Sequence, residues 1–372
     1  MKRILVTGGA GFVGSHVTRE LLKCGYSVRV LDNLTPQVHG PDRKRPNYLD
    51  HDAEFIQGDV RDAAVLERAL SQVDAVYHFA ALVGVGQSMY QISDYTSVNN
   101  YGTAQLLECL IKRRSPVERL VVASSMSIYG EGLYANSEGK RHSDCERNSS
   151  QLRMGEWELR DSRGSALYPI PTDESKPPSL ISVYALSKFD QERMCLAVGR
   201  AYQIPVVALR FFNIYGPHQA LSNPYTGVLA IFASRLLNGK PPLINEDGLQ
   251  QRDFVSVYDI ARACRLALTS AEAPGSAFNI GSGKPCTIRD LASRMGQLLG
   301  TNIAPQITGK YRTGDIRHCF ADITKARNIL GYEPQVELEE GLEDLAKWLD
   351  GQAADDHVAE SVAQLTARGL MV

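Results

Sequence analysis

Short, continuous apolar runs alternate with segments of helical periodicity through the first 210 residues. The runs read ILVT, SVRVLD, AEFIQGD, DAVYHFAA, ERLVVASS and IPVVALRFF, and amphipathic segments lie between them. Strands that are apolar at successive positions are typical of a parallel sheet that helices cover on both faces. The pattern therefore predicts an α/β fold with a doubly wound parallel sheet.

The regular alternation is interrupted by a long insertion and ends near residue 215. Residues 131–179 are charged and rich in Ser, Gly and Arg, and they follow the fifth strand. We interpret them as an insertion on the active-site side, because ligands bind at the carboxyl ends of such strands. The predicted domains are a first domain of residues 1–212 to which 253–280 return, a smaller mixed α/β substrate domain of 213–252 and 281–350, and a tail of 351–372.

Composition excludes several classes of function. The 372 residues carry a formal charge of −2 with acids and bases mixed, so neither a nucleic-acid surface nor a membrane surface is expected. Seven cysteines are scattered without a CxxC pair, which favours reduced thiols in the cytoplasm over a disulfide framework or a metal site.

A glycine-rich turn follows the first strand and opens the first helix. In VTGGAGFVGSH, Gly8, Gly11 and Gly14 are spaced three apart, as in the dinucleotide-binding fingerprint of a Rossmann fold. Small residues let the backbone approach a pyrophosphate, and the helix N-terminus favours its charge. The second strand ends in Asp32, whose carboxylate suits ribose hydroxyls and would repel a 2′-phosphate. The predicted cofactor is therefore NAD.

A tyrosine and a lysine four residues apart supply candidate acid–base chemistry. Tyr184 and Lys188, in VYALSKF, share one face of a helix. A tyrosine alone is a poor base because its pKa is about 10, but a neighbouring ammonium and a cationic nicotinamide favour the phenolate. Ser124, Ser125 and Ser127 end a buried strand, where they either cap the next turn or meet a ligand.

Several sequence blocks together resemble the extended short-chain dehydrogenase/reductase family. The blocks are TGGAGFVG, HFAA, SSMSIYG, YALSK, RFFNIYGP and RDFVSVYDIA, and they extend to about residue 350. Within the family the chain resembles the NAD-dependent nucleotide-sugar epimerases and dehydratases, and most of all the UDP- and dTDP-hexose 4-epimerases.

The resemblance implies a role for each matching residue on the cofactor side. Ser125 would bind the sugar hydroxyl that is oxidised, Tyr184 would be the base, and Lys188 would bind the nicotinamide ribose. The implied cofactor contacts, besides the three glycines and Asp32, are Phe12, Val13, Asn33, Asp59, Val60, Phe79, Ala80, Ala81 and Asn99.

The same resemblance implies a substrate site built largely by the second half of the chain. Arg252 and Arg312 would hold the diphosphate with Asn213 nearby, and Asp315 would contact the nucleoside. Asn223 and Tyr225 lie in a segment that would close over the base. The other implied substrate contacts are Ser125, Met126, Ser127 and Cys319, the last as part of the hexose-pocket wall.

The residues after Ser125 favour one reaction within the family. Related 4,6-dehydratases carry an Asp-Glu pair there, whereas this chain has Met126 and Ser127, which cannot eliminate water across C5 and C6. We therefore expect C4 epimerisation of a nucleoside-diphosphate hexose through a 4-keto sugar. The open alternatives are a 4,6-dehydratase, a 4-ketosugar reductase and a silent NAD-binding sensor or scaffold. The insertion could supply a missing acid from Glu131, Glu138, Asp144 or Glu146.

Two further expectations concern the whole molecule. The family usually pairs its subunits through two long helices, here near residues 95–113 and 181–200, so a homodimer is expected. Uronate epimerases often carry an arginine shortly after the YGP turn, where this chain has Ala220. A carboxylate substrate would then need another partner.

Overall fold

The computed structural model describes residues 2–225 and 227–372. Its strands are β1 Arg3–Thr7, β2 Ser27–Asp32, β3 Glu54–Gln57, β4 Ala75–His78, β5 Arg119–Ser125, β6 Leu133–Ala135, β7 Arg141–His142, β8 Tyr168–Ile170, β9 Val206–Phe211, β10 Asn213–Tyr215, β11 Leu243–Ile244, β12 Gln251–Ser256, β13 Ser276–Ile280, β14 Pro285–Thr287, β15 Gln306–Ile307 and β16 His318–Cys319.

The helices are α1 Phe12–Lys23, α2 Pro36–His39, α3 Ala63–Leu70, α4 Val85–Ser88, α5 Ile92–Tyr95, α6 Gly102–Ile111, α7 Ser149–Arg153, α8 Val183–Tyr202, α9 Val228–Leu237, α10 Val257–Thr269, α11 Ile288–Leu298, α12 Thr324–Leu330, α13 Leu338–Leu349 and α14 Val358–Ala367. A π-helical stretch, Thr96–Tyr101, runs into α6, and a short 3₁₀ helix, Met126–Tyr129, follows β5. Within the described ranges, no helix is both long and apolar enough to cross a membrane.

A seven-stranded sheet forms the centre of the molecule. Its order is β13-β9-β5-β4-β1-β2-β3, and every neighbouring pair is parallel. The chain reverses direction across the sheet between β1 and β4, which is the switch point where doubly wound sheets bind ligands. The predicted fold class, a Rossmann-type sheet with a smaller mixed region, is confirmed.

Apolar side chains fill both faces of this sheet. One core includes Val17 of α1 and Ile260 of α10, and the other includes Leu66 of α3, Leu106 of α6 and Cys195 of α8. Burial on both faces explains why the strands are apolar at successive positions. The pairing of β13 with β9, and of α10 with α1, returns residues after 253 to the large sheet.

The smaller mixed region carries its own core. Strands β10, β12 and β14 form a small sheet, and β16 pairs with β12. Leucines of α9, α11 and α13 pack together beside it, including Leu229, Leu291 and Leu342. This second lobe faces the carboxyl ends of the large sheet, so a cleft lies between the two.

The insertion is an ordered three-stranded sheet rather than an open loop. Antiparallel pairing joins β7 to β6 and β6 to β8. Its contacts with the second lobe include the pair of the fully buried Arg317 with the half-exposed Glu158 at 2.6 Å, and backbone hydrogen bonds from Gly132 to His318 and from Thr172 to Phe320, both at 2.8 Å.

Candidate functional site

A cavity of about 650 Å³ lies at the carboxyl ends of the large sheet and extends under the second lobe. Nearly all of the predicted site residues line it together. From the dinucleotide side these are Gly8, Gly11, Phe12, Val13, Gly14, Asp32, Asn33, Asp59, Val60, Phe79, Ala80 and Ala81; at the centre are Ser125, Met126, Ser127, Tyr184 and Lys188; and from the second half come Asn213, Asn223, Tyr225, Arg252, Arg312 and Asp315.

The glycine turn is shaped for close approach of a ligand. Gly8 has φ +69°, and a Cβ there would lie 2.7 Å from the Ala80 nitrogen. A Cβ on Gly14 would lie 2.3 Å from the Gly8 oxygen. The helix that starts at Phe12 receives no side-chain cap from the described residues, so its first amides remain available to a pyrophosphate. These features fit the dinucleotide that the sequence predicts.

The carboxylates at the ends of β2 and β3 are held in defined positions. Asp32 accepts hydrogen bonds from the backbone nitrogens of Ala10 (3.0 Å) and Leu34 (2.9 Å). Asp59 accepts from Asn33 Nδ2 at 3.0 Å, and its hydrogen bonds with Arg61 lower its pKa to about 2. Both carboxylates line the cavity, where Asp32 suits the adenosine ribose, so the donor set fits NAD.

The predicted catalytic side chains meet at the end of β5. Tyr184 and Lys188 lie one turn apart on α8, whose start is fixed by Ser182 accepting from the Ala185 nitrogen at 3.1 Å. Burial raises the pKa of Tyr184, and hydrogen bonding to Ser125 opposes that shift. Burial lowers the pKa of Lys188 to about 8. A buried phenol therefore needs nearby positive charge to act as a base near neutral pH.

A buried polar chain leads away from Lys188 to the first strand. Lys188 Nζ donates to Gln191 Oε1 at 2.6 Å, and Gln191 Nε2 donates to Thr103 Oγ1 at 2.8 Å. His78 bonds Thr103 at 2.9 Å and Thr7 at 2.8 Å, and burial lowers its pKa to about 3. Sequence patterns did not predict this hydrogen-bond network, because its residues lie on four different elements.

The three serines at the end of β5 have different partners. Ser124 donates to Glu192 at 2.6 Å and so belongs to the core network of Arg210. Ser125 accepts from the Ser127 nitrogen at 3.2 Å, which caps the 3₁₀ helix, and it also faces the cavity. The Ser125 hydroxyl can therefore both cap the 3₁₀ helix and contact a ligand in the cavity.

Every carboxylate that lines the cavity already has a partner. Asp32 and Asp59 are bonded as described, and Asp315 accepts two hydrogen bonds from Arg312 at 2.9 and 2.7 Å. Glu246 pairs with Arg147 at 2.8 Å and with Arg317 at 2.9 Å. None of these groups is poised as a free acid beside Ser125.

The insertion contributes no residue to the cavity lining. Glu131 is buried and accepts from the backbone nitrogen of Arg317 at 2.7 Å and from the Tyr134 hydroxyl at 2.8 Å. The other acids considered for a catalytic role, Glu138, Asp144 and Glu146, are exposed. The expected position of the insertion over the active site is therefore not borne out by the lining.

The predicted diphosphate arginines line the cavity but are partly engaged by the protein. Arg252 donates to the backbone oxygens of Ile316 at 2.6 Å and Arg317 at 2.8 Å. Arg312 pairs with Asp315 through Nε and Nη2, and its other terminal nitrogen, Nη1, is not part of that ion pair. Tyr225 accompanies Asn223, whose side-chain oxygen accepts from the Tyr225 nitrogen at 3.0 Å.

Two predicted site residues lie outside the lining. Cys319 is 1% exposed, and its sulfur points to the Thr172 hydroxyl at 3.9 Å, because β16 turns that side chain into the core. Asn99 is fully buried and bonds the Leu82 nitrogen at 2.8 Å and Ser187 at 2.9 Å. Asn99 supports the cavity wall from behind, whereas Cys319 cannot form the hexose wall in this arrangement.

Sequence reasoning missed several lining residues. Gln219 and Gln250 line the cavity, and within the described residues their side-chain oxygens, like that of the predicted Asn213, are buried without a hydrogen-bond partner. Buried polar atoms without partners mark places where a ligand is expected to bind. His39 lies 3.8 Å from Asp32, and the C-terminal helix α14 also reaches the lining. The sequence predicted only a tail at α14, although the helical spacing of its apolar residues could have indicated a buried face.

The fold and the site together define a dinucleotide-binding oxidoreductase-type protein with a Ser–Tyr–Lys centre and a second lobe for a polar substrate. The chain matches the NAD dependent epimerase/dehydratase family over residues 4–155 and 161–281. It belongs to that family, and its cofactor is NAD, as the sequence predicts.

Curated relatives and solved structures agree with this assignment. The dTDP-L-rhamnose 4-epimerase of Burkholderia thailandensis is 37% identical over 351 residues, which cover 94% of this chain and 95% of the relative. The UDP-glucose 4-epimerase structure of Thermotoga maritima superposes with a TM-score of 0.76 at 31% identity, covering 94% and 99% of the two chains. UDP-glucuronic acid 4-epimerase from Bacillus cereus, solved with UDP-glucuronic acid and NAD, gives 0.76 at 27% identity, also covering 94% and 99%.

Proposed function

We propose that this protein is an NAD-dependent 4-epimerase of a nucleoside-diphosphate hexose. The observation that carries the proposal is the composition of the cavity around Ser125. Tyr184 is the one acid–base group there, Met126 and Ser127 stand beside it, and the lining carboxylates are bonded elsewhere. Such a site can move a proton on one hydroxyl but offers no second pair for elimination.

The proton chemistry is assigned to Tyr184. Its phenolate removes the proton from the sugar 4-hydroxyl, which Ser125 orients by hydrogen bonding, and the phenol later returns that proton. Lys188 stabilises the phenolate by its charge, since an ammonium with a pKa of about 8 is mostly protonated at neutral pH. Bound NAD supplies the hydride acceptor for C4 and the hydride donor for the reverse step.

The substrate must remain bound while its keto sugar rotates within the cavity. Inversion at C4 requires the keto sugar to present its opposite face before reduction, so a tether at the far end of the molecule is needed. We assign the diphosphate to Arg252 and Arg312, because guanidinium groups suit phosphate oxygens. The unpartnered Asn213 oxygen offers an acceptor in the same cavity.

The substrate class is a UDP- or dTDP-hexose. The relative at 37% identity is named for dTDP-L-rhamnose, which makes a dTDP-6-deoxyhexose the first candidate. Ala220 lines the cavity where a uronate enzyme would carry an arginine, so a carboxylate at C5 is not favoured.

The proposal extends to the whole molecule. Residues 1–212 with 253–280 form the NAD-binding domain, and 213–252 with 281–350 form the sugar-nucleotide domain; the pairing of β13 with β9 supports this division. We also propose that the protein is cytoplasmic and forms a homodimer; the dimer is supported by a shallow groove, with Tyr101, Ala104 and Met194 in its lining, between the two helices that the sequence singled out.

A reaction in heavy water tests the function. NAD-loaded enzyme is incubated with dTDP- and UDP-hexoses, and proton NMR follows C4 and C5. We expect inversion at C4, an intact C6 oxygen and no deuterium at C5, because the C5–H bond is never broken. The variant Tyr184→Phe should retain NAD and lose about 10²–10⁴-fold in rate.

The same experiment separates the rivals. Deuterium at C5 or a 4-keto-6-deoxy product would establish a dehydratase, and dependence on added NADPH would establish a reductase. No turnover of any sugar nucleotide, with NAD bound, would support the sensor reading.

A further inference from the structure

The last seventeen residues fold back over the cavity. We call residues 356–372 the C-terminal arm; it consists of α14 and the extended segment after it. The sequence suggested only a tail here. Five side chains of the arm line the cavity: Val358, Ser361, Val362, Leu365 and Met371. The opposite face of the helix, including Ala363, is exposed.

Backbone hydrogen bonds fix the end of the arm to the second lobe. The nitrogen and oxygen of Val372 bond those of Tyr311, both at 3.0 Å, and the Thr313 nitrogen donates to the Leu370 oxygen at 2.9 Å. Arg312 therefore lies in a segment paired with the arm, directly opposite Met371.

The beginning of the arm is fixed by buried charge. The side chain of Asp356 is 1% exposed, and it pairs with Lys240 at 2.9 Å and with Arg235 at 3.2 Å. Two basic partners stabilise the buried carboxylate, whose pKa is lowered although burial opposes this. Helix α14 is thus held at both of its ends.

The helix also contacts the dinucleotide-binding side. A Cβ on Gly86 would lie 3.3 Å from a methyl carbon of Leu365, so the helix packs directly on that backbone. Gln364 accepts from the hydroxyls of Tyr90 (3.1 Å) and Tyr225 (3.2 Å), and Arg368 lies 4.4 Å over the Tyr90 ring. The arm therefore bridges the two walls of the cleft.

The surroundings of the arm identify which part of the cavity it covers. Its neighbours Arg312 and Tyr225 are the residues assigned to the diphosphate and the base. Four of its five lining side chains are apolar, which suits the flat face of a pyrimidine better than a sugar or phosphate.

We propose that the C-terminal arm is part of the substrate-binding site and forms the apolar wall over the pyrimidine nucleoside of the sugar nucleotide. This rests on the proposed function for the identity of the ligand. The wall contributes binding energy remote from C4, so its loss weakens nucleotide binding while the proton chemistry at Tyr184 is unchanged.

The test compares two neighbouring positions on α14 in the full-length, NAD-loaded protein. Val362→Trp places an indole inside the cavity, whereas Ala363→Trp places the same group on the exposed face. Isothermal titration with UDP and with dTDP, which needs no turnover, should give dissociation constants raised at least about 10-fold for Val362→Trp and less than about 2-fold for Ala363→Trp. NAD content and melting temperature should match between the variants.

Hydrogen exchange supplies a second measurement on the unmodified protein. Amides of residues 358–372 should exchange more slowly when UDP or dTDP is added to the NAD-bound protein. Unchanged exchange, or equal affinities for the two variants, would overturn the proposal. If no sugar nucleotide is turned over but the variants still differ, the arm binds nucleoside diphosphates and only the proposed reaction is wrong.

Discussion

At the residue scale, the sequence was sufficient to place the side chains proposed for catalysis together, whereas the contacts that support them could not be predicted. The four-residue spacing of Tyr184 and Lys188 fixes a shared helix face, and the carboxyl end of β5 brings Ser125 to them. Gln191 is different, because an amide three residues from a lysine has no special meaning until the fold buries both. The prediction that Cys319 forms part of the hexose-pocket wall was wrong for a related reason, since the sequence of a two-residue strand does not show which side chain points into the core.

Gln191 is expected to set the protonation of Lys188. Its side-chain oxygen accepts from Nζ at 2.6 Å and so favours the charged ammonium, whose pKa burial has already lowered to about 8. Removing the acceptor in Gln191→Met lowers that pKa further. The ammonium is present below its pKa and lost above it, so the alkaline limb of the kcat profile should move down by about one pH unit.

The matched variant Gln191→Glu is expected to shift the pKa of Lys188 in the opposite direction. A carboxylate beside the ammonium favours the charged form, so the alkaline limb should move to higher pH than in the unmodified enzyme. Both profiles are measured from initial rates with saturating substrate. If the alkaline limb of the kcat profile lies at the same pH in all three proteins and only the rates are reduced, Gln191 has a packing role and does not affect the protonation of Lys188.

At the scale of elements, apolar runs predicted six of the seven strands of the large sheet in order, while the role of charged segments was not predictable. The insertion is rich in charge, which in a sequence indicates exposure to solvent. In the structure Arg147 and Arg317 are buried and pair with Glu246, which joins the insertion to the second lobe. Only the fold brings these distant charges together, so composition gives no sign of the cluster.

Arg317 is expected to hold the insertion in place. It is fully buried and bonds Glu158, Glu246 and Asp247, so Arg317→Met would take one of two basic partners from the buried Glu246 and would remove a partner from the more exposed Glu158 and Asp247. Removing one partner of a buried ion pair costs about 3–5 kcal/mol when the other charge is left unpaired, and because Glu246 keeps Arg147 we expect a smaller cost of about 1–3 kcal/mol. We expect the urea unfolding transition, followed by circular dichroism, to shift to lower urea by a corresponding amount.

Arg163→Met is the control for that variant, because Arg163 lies in the same insertion and is exposed. Its transition should stay within about 0.5 kcal/mol of the unmodified protein. A shift for Arg317→Met no larger than this would mean that the buried charges contribute nothing to stability.

At the scale of the whole molecule, both walls of the cleft carry residues of the proposed site. A second concave surface lies outside the cleft, and its function is not accounted for by the proposed reaction. A shallow groove there is lined by Tyr101, Ala104 and Met194, from the end of the π-helical stretch, α6 and α8, together with the polar residues Ser93, Thr96, Ser97 and Asn100. Tyr101 is 51% exposed and Leu186 of α8 is 48% exposed. Leu186 lies outside the groove lining, but large apolar side chains exposed on helices that contact each other indicate an interface.

We expect this surface to join two copies of the chain, so light scattering should give about twice the 40.9 kDa of one chain. Tyr101→Asp places a charge in the centre of the groove, where pairing would bury it without a partner, and should shift the mass to that of a monomer. Tyr168→Asp changes an equally exposed tyrosine in the insertion and should leave the dimer intact. A monomeric unmodified protein, or a Tyr101→Asp protein that remains dimeric, would place the interface elsewhere or remove it. Because the groove is outside the cavity lining, NAD content should be the same in all three proteins, which separates assembly from cofactor binding.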